Sequence, residues 1–344
     1  MIQLQGNRIS AKTESFNTDG YTDLECVLSV IIPAFNAANT IIRAIDSVRA
    51  QNLRSVEIII IDDGSSDDTV DVTRNNIRPG EQIHLIELKK NSGVSAARNA
   101  GIRAAKGKYL GFLDADDVWL PEKVARQIEA LEKDPAITLV SCGSSLVSES
   151  GVPLKEGHQK RAAVEGFHAW KTLLKYNFIP TPTVLTYRRL VQDAGGFDES
   201  LSVGEDLDLW IKLARRGKVR VLKKLLVHYY DTPGSLMKRH CDNSRTIVAP
   251  MLERHLTEER KNLSDSEIRH IRGYQSFHLG CDVFFSGKYF SSIPSFLKSS
   301  FYGVRPVKSL TYIPRAFCME LIAWVRKKTI RDRHTVNLNS RNFN

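Results

Sequence analysis

Acidic residues follow two apolar runs of the sequence, each at the point where a strand is predicted to end. Asp62-Asp63 comes after the run 56–61, and Asp114-Ala115-Asp116-Asp117 comes after the run 109–113. Because ligands of an open parallel sheet bind at the carboxyl ends of its strands, these carboxylates are expected to converge on one edge. Asp114 and Asp116 share a face in extended or turn-like backbone, which lets two carboxylates bracket Mg²⁺ or Mn²⁺. The pattern therefore favours a divalent cation site beside a phosphate-bearing substrate.

The elements that must position these residues alternate along the first two thirds of the chain. Runs that are apolar throughout predict buried strands, and amphipathic segments between them predict helices. This alternation indicates an α/β fold, with a Rossmann-like, mostly parallel sheet covered by helices on both faces. The predicted strands are 28–32, 56–61, 83–88, 109–113, 137–142 and 219–227, the helices 40–51, 67–76, 95–105, 121–133 and 204–216, and the loop 148–165.

The positive charge of the chain lies at one end. The 344 residues contain 49 Lys+Arg and 39 Asp+Glu. Residues 233–344 hold 19 of the basic and 9 of the acidic residues, which leaves 30 basic and 30 acidic residues in 1–232. We therefore predict a polar extension (1–26), an α/β domain (27–232) and a basic, mainly helical region (233–344). The last region includes a predicted helical hairpin over 274–285 and 289–299.

Composition and missing motifs exclude several classes of protein. With 42% apolar and 26% charged residues, the chain is neither disordered nor collagen-like. Five widely spaced cysteines favour a reducing compartment. The longest apolar runs are well short of the roughly 20 residues that span a bilayer, and no signal-peptide layout opens the sequence. The G-x-G-x-x-G, P-loop and G-x-S-x-G motifs are absent. We expect a cytoplasmic protein.

Four stretches, in this order, resemble the glycosyltransferases of family 2, which have the GT-A fold. The resemblance implies transfer of a sugar from a nucleotide-diphosphate donor, with a UDP-sugar favoured, to a hydroxyl group with inversion at the anomeric carbon. It also implies Mn²⁺ or Mg²⁺ as cofactor, and a glycan or lipid-linked glycan acceptor in surface polysaccharide or glycoconjugate assembly. The stretches are SVIIPAFNAANTI (29–41), VEIIIIDDGSSDDT (56–69), NSGVSAARNAGIRAAKGKYLGFLDADDVWLPEK (91–123) and GGFDESLSVGEDLDLWIKL (195–213).

The resemblance assigns the donor to the ends of the first strands. Pro33, Ala34 and Phe35 would lie against the base and ribose. Asp63 would accept from the N–H of a uracil ring, while Asp62 would orient the loop or the ribose. The donor-binding residues implied are Pro33, Ala34, Phe35, Asp62, Asp63, Arg98, Asp114, Ala115 and Glu205.

The same resemblance assigns the metal and the catalytic base. Asp116 and Asp114 would hold the metal, with Asp116 favoured as the direct ligand and Asp117 as an alternative. Asp206 would be the general base, facing the acceptor hydroxyl from the side opposite the leaving group. Its place at a helix N-terminus is expected to keep it ionised, since the helix dipole favours negative charge there. Capping of the helix is the alternative role, and Asp208 is expected to point away.

Motifs of the family that this sequence lacks narrow the range of reactions expected of it. No Gln-x-x-Arg-Trp motif and no membrane spans are present, which argues for addition of one or a few sugars rather than a long polymer. Before Pro233-Gly234-Ser235, Tyr230 or Asp231 stands where relatives carry a basic residue, and His228 is displaced from the usual position. A catalytically inactive sugar-nucleotide scaffold and a nucleotidyltransferase that makes activated sugars remain alternatives.

The basic C-terminal region suggests a partner. The largely apolar stretch 317–325 precedes Arg326, Lys327, Lys328, Arg331 and Arg333. Such a sequence suits an interfacial helix that binds an anionic membrane, at the inner face of the cell membrane, and an ordinary packed helix is the alternative. Nucleic acid is excluded as a partner because the positive residues are scattered and no reading motif accompanies them.

Overall fold

The computed structural model describes residues 27–51, 53, 55–148, 151–155, 164–230 and 243–341, so the predicted extension 1–26 lies outside it. Within these residues the strands are β1 (Leu28–Ala34), β2 (Val56–Asp62), β3 (Ile83–Glu87), β4 (Tyr109–Phe112), β5 (Val118–Trp119), β6 (Ile137–Val147), β7 (Pro153–Lys155), β8 (Leu185–Tyr187) and β9 (Lys218–Tyr230). The α-helices are α1 (Ile41–Arg49), α2 (Thr69–Asn75), α3 (Val94–Ala104), α4 (Lys123–Lys133), α5 (Ala169–Leu173), α6 (Arg188–Asp193), α7 (Glu205–Ala214), α8 (Ala249–Glu258), α9 (Asp265–Phe285), α10 (Tyr289–Phe301) and α11 (Pro306–Arg341).

These strands form one sheet in the order β3-β2-β1-β4-β8-β6-β9-β5, with β7 paired to β6. The neighbours β3-β2, β2-β1, β1-β4 and β6-β9 are parallel. Strand β8 runs antiparallel to both β4 and β6, and β5 runs antiparallel to β9. The mostly parallel α/β sheet predicted from the sequence is therefore confirmed, with antiparallel strands inserted beyond β4.

Apolar side chains of β1 alternate between two cores. Ile31 joins the core beneath α3 and α7, while Val30 and Ile32 join the core beneath α1 and α4. Because both faces of the sheet are buried, its central strands are largely apolar, as a doubly covered parallel sheet requires; inside β1 and β2 the buried polar exceptions, Ser29 and Glu57, hydrogen-bond to each other. Their carboxyl ends consequently all open toward the loops that carry the acidic residues.

The C-terminal region is helical, as predicted, and its first part shares the core of the sheet. Met251 and Leu256 of α8 and Ile271 of α9 pack in the same cluster as the α3 and α7 residues. Farther along, α9, α10 and α11 enclose a third core, which we call the C-terminal core. It lies around Phe296 and Tyr312, whose rings stack with centroids 4.5 Å apart. Among the described residues, no helix combines the length and apolar character needed to cross a bilayer.

Several short elements were not predicted. The strands β5 and β8 have two and three residues, and β7 lies inside the segment 148–165 that was predicted as a loop. The helices α5 and α6 are also short. Elements of this length carry too few residues for a hydrophobic period to be read. By contrast, β1–β4 and α1–α4 lie within two residues of their predicted bounds, whereas β6 runs five residues beyond the predicted 137–142 and α9 begins nine residues before the predicted 274–285.

Candidate active site

The Asp62-Asp63 pair at the end of β2 fixes the loop that leads into α3. Both oxygens of Asp63 accept backbone hydrogen bonds, from Ser92 at 2.7 Å and Gly93 at 2.9 Å. Asp62 accepts from the backbone N–H of Ser65 through Oδ2, and its buried Oδ1 has no partner in the described part of the chain. The carboxylate of Asp63 is therefore already engaged with the protein, which is a second role beside the predicted contact to a base.

Glycine is required directly after this pair. Gly64 has a φ of +71°, and a Cβ there would lie 2.7 Å from the backbone of Lys90 and Asn91. Only glycine adopts this conformation without strain and lets the two loops approach so closely. The Asp-Asp-Gly sequence is thus explained by local packing as well as by chemistry.

The end of β1 offers one exposed aromatic ring. Ala34 is buried at 1% exposure, whereas Phe35 is 50% exposed beside it. Pro33 is partly buried and lies inside β1, one residue before its end, so the strand continues past the predicted bound at residue 32. Of the three residues predicted to face the nucleotide, Phe35 is the one whose side chain is open to a ligand.

Arg98 of α3 links the third and fourth sequence motifs. Its side chain is 5% exposed and donates to Asp114 Oδ1 and to Glu205 Oε1, each at 2.9 Å. The guanidinium also lies 5.2 Å from the centroid of the Phe197 ring. Asp114 comes shortly after β4, and Glu205 opens α7. These two carboxylates are therefore held on either side of one buried cation, and Asp206 directly follows Glu205.

The turn after β4 carries the three carboxylates of the Asp114–Asp117 segment. The backbone N–H of Asp117 bonds to the carbonyl of Asp114, and the buried Asp117 Oδ1 accepts from the N–H of Tyr230 at 3.0 Å. Burial, and then the charges of Asp114 and Asp116, raise the pKa of the Asp117 carboxyl well above its usual value. A local excess of negative charge therefore accompanies this turn.

A basic side chain does reach this turn, although the sequence near residue 230 lacks one. Arg43 of α1 donates to the carbonyl oxygen of Asp116 at 2.8 Å and stacks 3.6 Å above the centroid of the Tyr230 ring. An arginine from another element therefore places a positive charge beside this turn. Residues 231–235 lie outside the described residues.

The donor set of this turn fits a hard divalent cation. Its ligands would be carboxylate oxygens, and Asp117 Oδ2 is a buried acceptor without a hydrogen-bond partner in the described part of the chain. Among the described residues, no group of three or more His, Cys, Asp or Glu side chains is arranged to hold a metal. Mg²⁺ is commonly bound through one or two carboxylates plus substrate phosphates, so Asp116 and Asp114 suffice only together with a bound diphosphate.

Asp206 lies in the first turn of α7, next to Glu205. Its Oδ2 accepts from the Asn177 amide at 2.9 Å and from the Thr181 hydroxyl at 3.4 Å, and its Oδ1 accepts from the N–H of Leu207 at 2.6 Å. Burial, and then the neighbouring Glu205, raise the pKa of Asp206 to about 6, against the smaller opposing effect of Arg98. The helix N-terminus is therefore not the largest influence on this pKa, because desolvation outweighs the dipole, and the carboxyl is still mostly ionised at neutral pH.

Asp208 points away from Asp206, as expected, and has a structural role. It is fully buried and accepts hydrogen bonds from His255 at 2.8 Å and Arg254 at 2.7 Å, both on α8, and it pairs with Lys212. Burial opposes ionisation, but the bonds from His255 and Lys212 lower the pKa of the carboxyl below its usual range. This carboxylate ties the helix that carries Asp206 to the C-terminal region.

Residues that the sequence did not point to complete the site. Asn177 and Thr181 lie on a connection without a regular period, and only their contact with Asp206 reveals them.

Tyr229 lies close to four carboxylates: burial, and then Asp114, raise the pKa of its phenol above the usual range. A phenol that stays protonated can donate a hydrogen bond. His228, by contrast, bonds to Ser145 at 2.8 Å, consistent with a structural role.

The fold matches solved glycosyltransferase structures. The crystal structure of residues 1–349 of TarS from S. aureus superimposes with a TM-score of 0.55 at 19% identity, over 92% of each chain. The same protein in complex with UDP-GlcNAc gives a TM-score of 0.54 at 18% identity, over 84% of this chain and 90% of that one. This likeness establishes the GT-A architecture.

Sequence comparison identifies the family. The sequence model described as "Glycosyl transferase family 2" matches residues 29–193. "Uncharacterized glycosyltransferase RP339" of Rickettsia prowazekii is 34% identical over 219 residues, which cover 62% of this chain and 68% of that protein. "Putative teichuronic acid biosynthesis glycosyltransferase TuaG" of Bacillus subtilis is 31% identical over 198 residues, covering 57% and 75%. With its acidic strand ends, its GT-A sheet and these relatives, the chain belongs to glycosyltransferase family 2.

Proposed function

We propose that this protein transfers a sugar from a nucleotide-diphosphate donor, with a UDP-sugar favoured, to a hydroxyl of a glycan or lipid-linked glycan, with inversion and without processive polymerisation. The observation that carries the proposal is the Asp206 carboxylate, which is partly buried and has a pKa of about 6. It accepts hydrogen bonds from Asn177 and Thr181 and lies next to Glu205, which pairs with Arg98. Such a carboxylate is ionised at neutral pH yet basic enough to take a proton from an attacking hydroxyl.

The donor would occupy the edge between Phe35 and Asp114. The exposed Phe35 ring offers a stacking surface for a base, and the unpartnered Oδ1 of Asp62 is an acceptor for a ribose hydroxyl. Asp116 and Asp114 would hold Mn²⁺ or Mg²⁺ together with the diphosphate. When bound, this cation supplies Lewis-acid stabilisation of the negative charge that develops on the departing nucleotide diphosphate.

Assembly of a surface polysaccharide is the pathway we propose. TuaG of Bacillus subtilis is named for teichuronic acid biosynthesis, and ExoO of Rhizobium meliloti, 31% identical over 220 residues, for succinoglycan biosynthesis. Both names concern polymers of sugars. We infer a related acceptor, a sugar hydroxyl on a growing glycan.

The proposal is tested by nucleotide release. The full chain is incubated with Mn²⁺ and each of a panel of UDP-, GDP- and dTDP-sugars, with and without mono- and disaccharide acceptors, and freed nucleotide diphosphate is measured. Turnover with one donor, lost when EDTA is added, is the expected result. Donor binding by calorimetry without any turnover would instead support the inactive scaffold, and release of pyrophosphate from a nucleoside triphosphate would support the nucleotidyltransferase.

The pH dependence of transfer is set by Asp206. Because a general base acts only when ionised, kcat/KM is expected to be level above pH about 6 and to fall about tenfold for each unit below it. The measurement is a pH profile at saturating Mn²⁺ in buffers that do not chelate it. Because kcat/KM reports the free enzyme, a limb near pH 4, the ordinary range of an aspartate, would contradict either the raised pKa of Asp206 or its role as the base.

Phe35 is expected to bind the donor's base. Base–aromatic stacking is worth about 1–3 kcal/mol, so Phe35→Ala should raise the KM for the donor by about tenfold or more with little change in kcat. Since the ring is 50% exposed, the melting temperature should hardly change. Phe167→Ala, which removes an equally exposed ring (54%) outside the site, is the matched control and should leave KM unchanged.

A further inference from the structure

Two helices of the C-terminal region expose apolar side chains that no described element covers. On α10, Phe290, Leu297 and Phe301 are 47%, 50% and 85% exposed, and their spacing of seven and four residues places them on one side of the helix. On α11, Leu310, Phe317 and Leu321 repeat the same spacing and are 49%, 55% and 62% exposed. Each helix is thus apolar on an outer side as well as on its packed side.

These two stripes form one surface. The rings of Phe290 and Phe317 contact each other with centroids 5.0 Å apart, which joins α10 to α11. The packed sides of the same helices point elsewhere, because Phe296 and Tyr312 are buried in the C-terminal core. We call the six exposed residues the apolar face; contiguous exposed apolar surface of this kind marks an interaction site.

Basic residues outnumber acidic ones along the helices that carry the apolar face; three of them, Arg305, Lys308 and Arg315, lie over the rings of Phe277 and Tyr312. Residues 283–325 contain a single acidic residue, Glu320, against five basic ones: Lys288, Lys298, Arg305, Lys308 and Arg315. The sequence of α11 continues with Arg326-Lys327-Lys328, whose side chains lie outside what the structure describes. Since two copies of such a surface would bring like charges together, pairing with a second copy is electrostatically disfavoured.

From this arrangement we propose that the apolar face of α10 and α11 docks on an anionic lipid bilayer, with its Phe and Leu side chains at the acyl boundary and its Lys and Arg side chains at the head groups. Aromatic and leucine residues on one side of a helix, flanked by basic residues, have the chemistry of interfacial helices. Basic residues near an anionic leaflet add an electrostatic attraction that salt weakens. The docking surface therefore includes α10, beyond the helix 317–325 considered from the sequence.

The docked helices are joined to the catalytic domain through α9. Lys171 of α5 forms an ion pair with Glu267 of α9 at 2.6 Å, and the Gln275 amide donates to the carbonyl of Leu174 at 2.8 Å. Gly273 packs against Val304, where a Cβ would come within 2.4 Å of a side-chain carbon. Docking of the apolar face would therefore hold the whole catalytic domain at the membrane surface.

The test is co-sedimentation of the full chain with vesicles of phosphatidylcholine, alone or with about 30% phosphatidylglycerol. We expect binding to the anionic vesicles, little binding to the neutral ones, and weakening as NaCl is raised. The triple variant Leu297→Ser, Phe301→Ser and Leu321→Ser should bind at least about tenfold more weakly, because it removes three exposed apolar side chains. Lys298→Glu should weaken binding to anionic vesicles only.

The controls separate docking from misfolding and from self-association. Val152→Ser, Leu154→Ser and Phe167→Ser together remove three equally exposed apolar side chains from the catalytic domain and should leave vesicle binding unchanged. Circular dichroism should give the same melting temperature for both triple variants. Equal binding by the wild type and the Leu297, Phe301 and Leu321 variant would overturn the proposal. So would a dimer, seen by light scattering, that dissociates in that variant, because a second copy would then cover the face.

Discussion

Replacing Asp206 by Asn is expected to reduce sugar transfer by about 10²–10⁴-fold while leaving nucleotide binding nearly intact, since the amide keeps the size of the side chain but cannot accept a proton. The measurements are steady-state kinetics and calorimetric titration with the nucleotide diphosphate. Asp71→Asn, at an exposed position on α2, is the control and should be fully active. Transfer by the Asp206 variant at near the wild-type rate would show that another group is the base.

Stability gives the same variant a second, independent readout. The pKa of Asp206 is raised from 3.8 to about 6 in the folded protein, so the folded state binds more protons than the unfolded state between these values. Stability contributed by this group is therefore lost as pH rises through that window. Asn removes the buried charge, and the variant should melt no lower than the wild type at pH 7. An inactive variant that also melts lower would indicate disruption rather than loss of a base.

Replacing Arg98 by Met is expected to cost about 3–5 kcal/mol of unfolding free energy, because it leaves the carboxylates of Asp114 and Glu205 without their buried counter-ion. The guanidinium is only 5% exposed, so solvent cannot substitute for it. Urea unfolding is the measurement. Arg74→Met, which breaks ion pairs of a side chain that is 56% exposed, is the control and should cost about 1 kcal/mol or less.

The same variant should change the pH profile of any remaining activity. Arg98 lowers the pKa of Asp206, so its removal should move the acid limb of kcat/KM above pH about 6. Unchanged stability would contradict the role of Arg98 as the counter-ion of the site. An unchanged limb would contradict its electrostatic link to the base.

The sequence predicted the long elements and the acidic strand ends because both leave local signals. The central strands are largely apolar, and the Asp62-Asp63 and Asp114–Asp117 segments lie at their carboxyl ends. Asn177, Thr181 and Tyr229 left no such signal, since their roles depend on contacts with residues distant along the chain. The upward shift of the Asp206 pKa left no such signal for the same reason: a dipole can be inferred from helix position, but the extent of desolvation depends on tertiary packing.

Asp208 limits how this protein can be divided or recombined. A fragment ending near residue 232 would keep this carboxylate in the middle of α7 and discard Arg254 and His255, two of the groups that compensate its charge. The fragment would also expose the part of the core that α8 covers. An exchange of C-terminal regions between relatives would meet the same obstacle unless the donor of the new region supplies equivalent cations. The smallest unit that inherits the catalytic helix in working order therefore extends through α8, well beyond the end of the sheet.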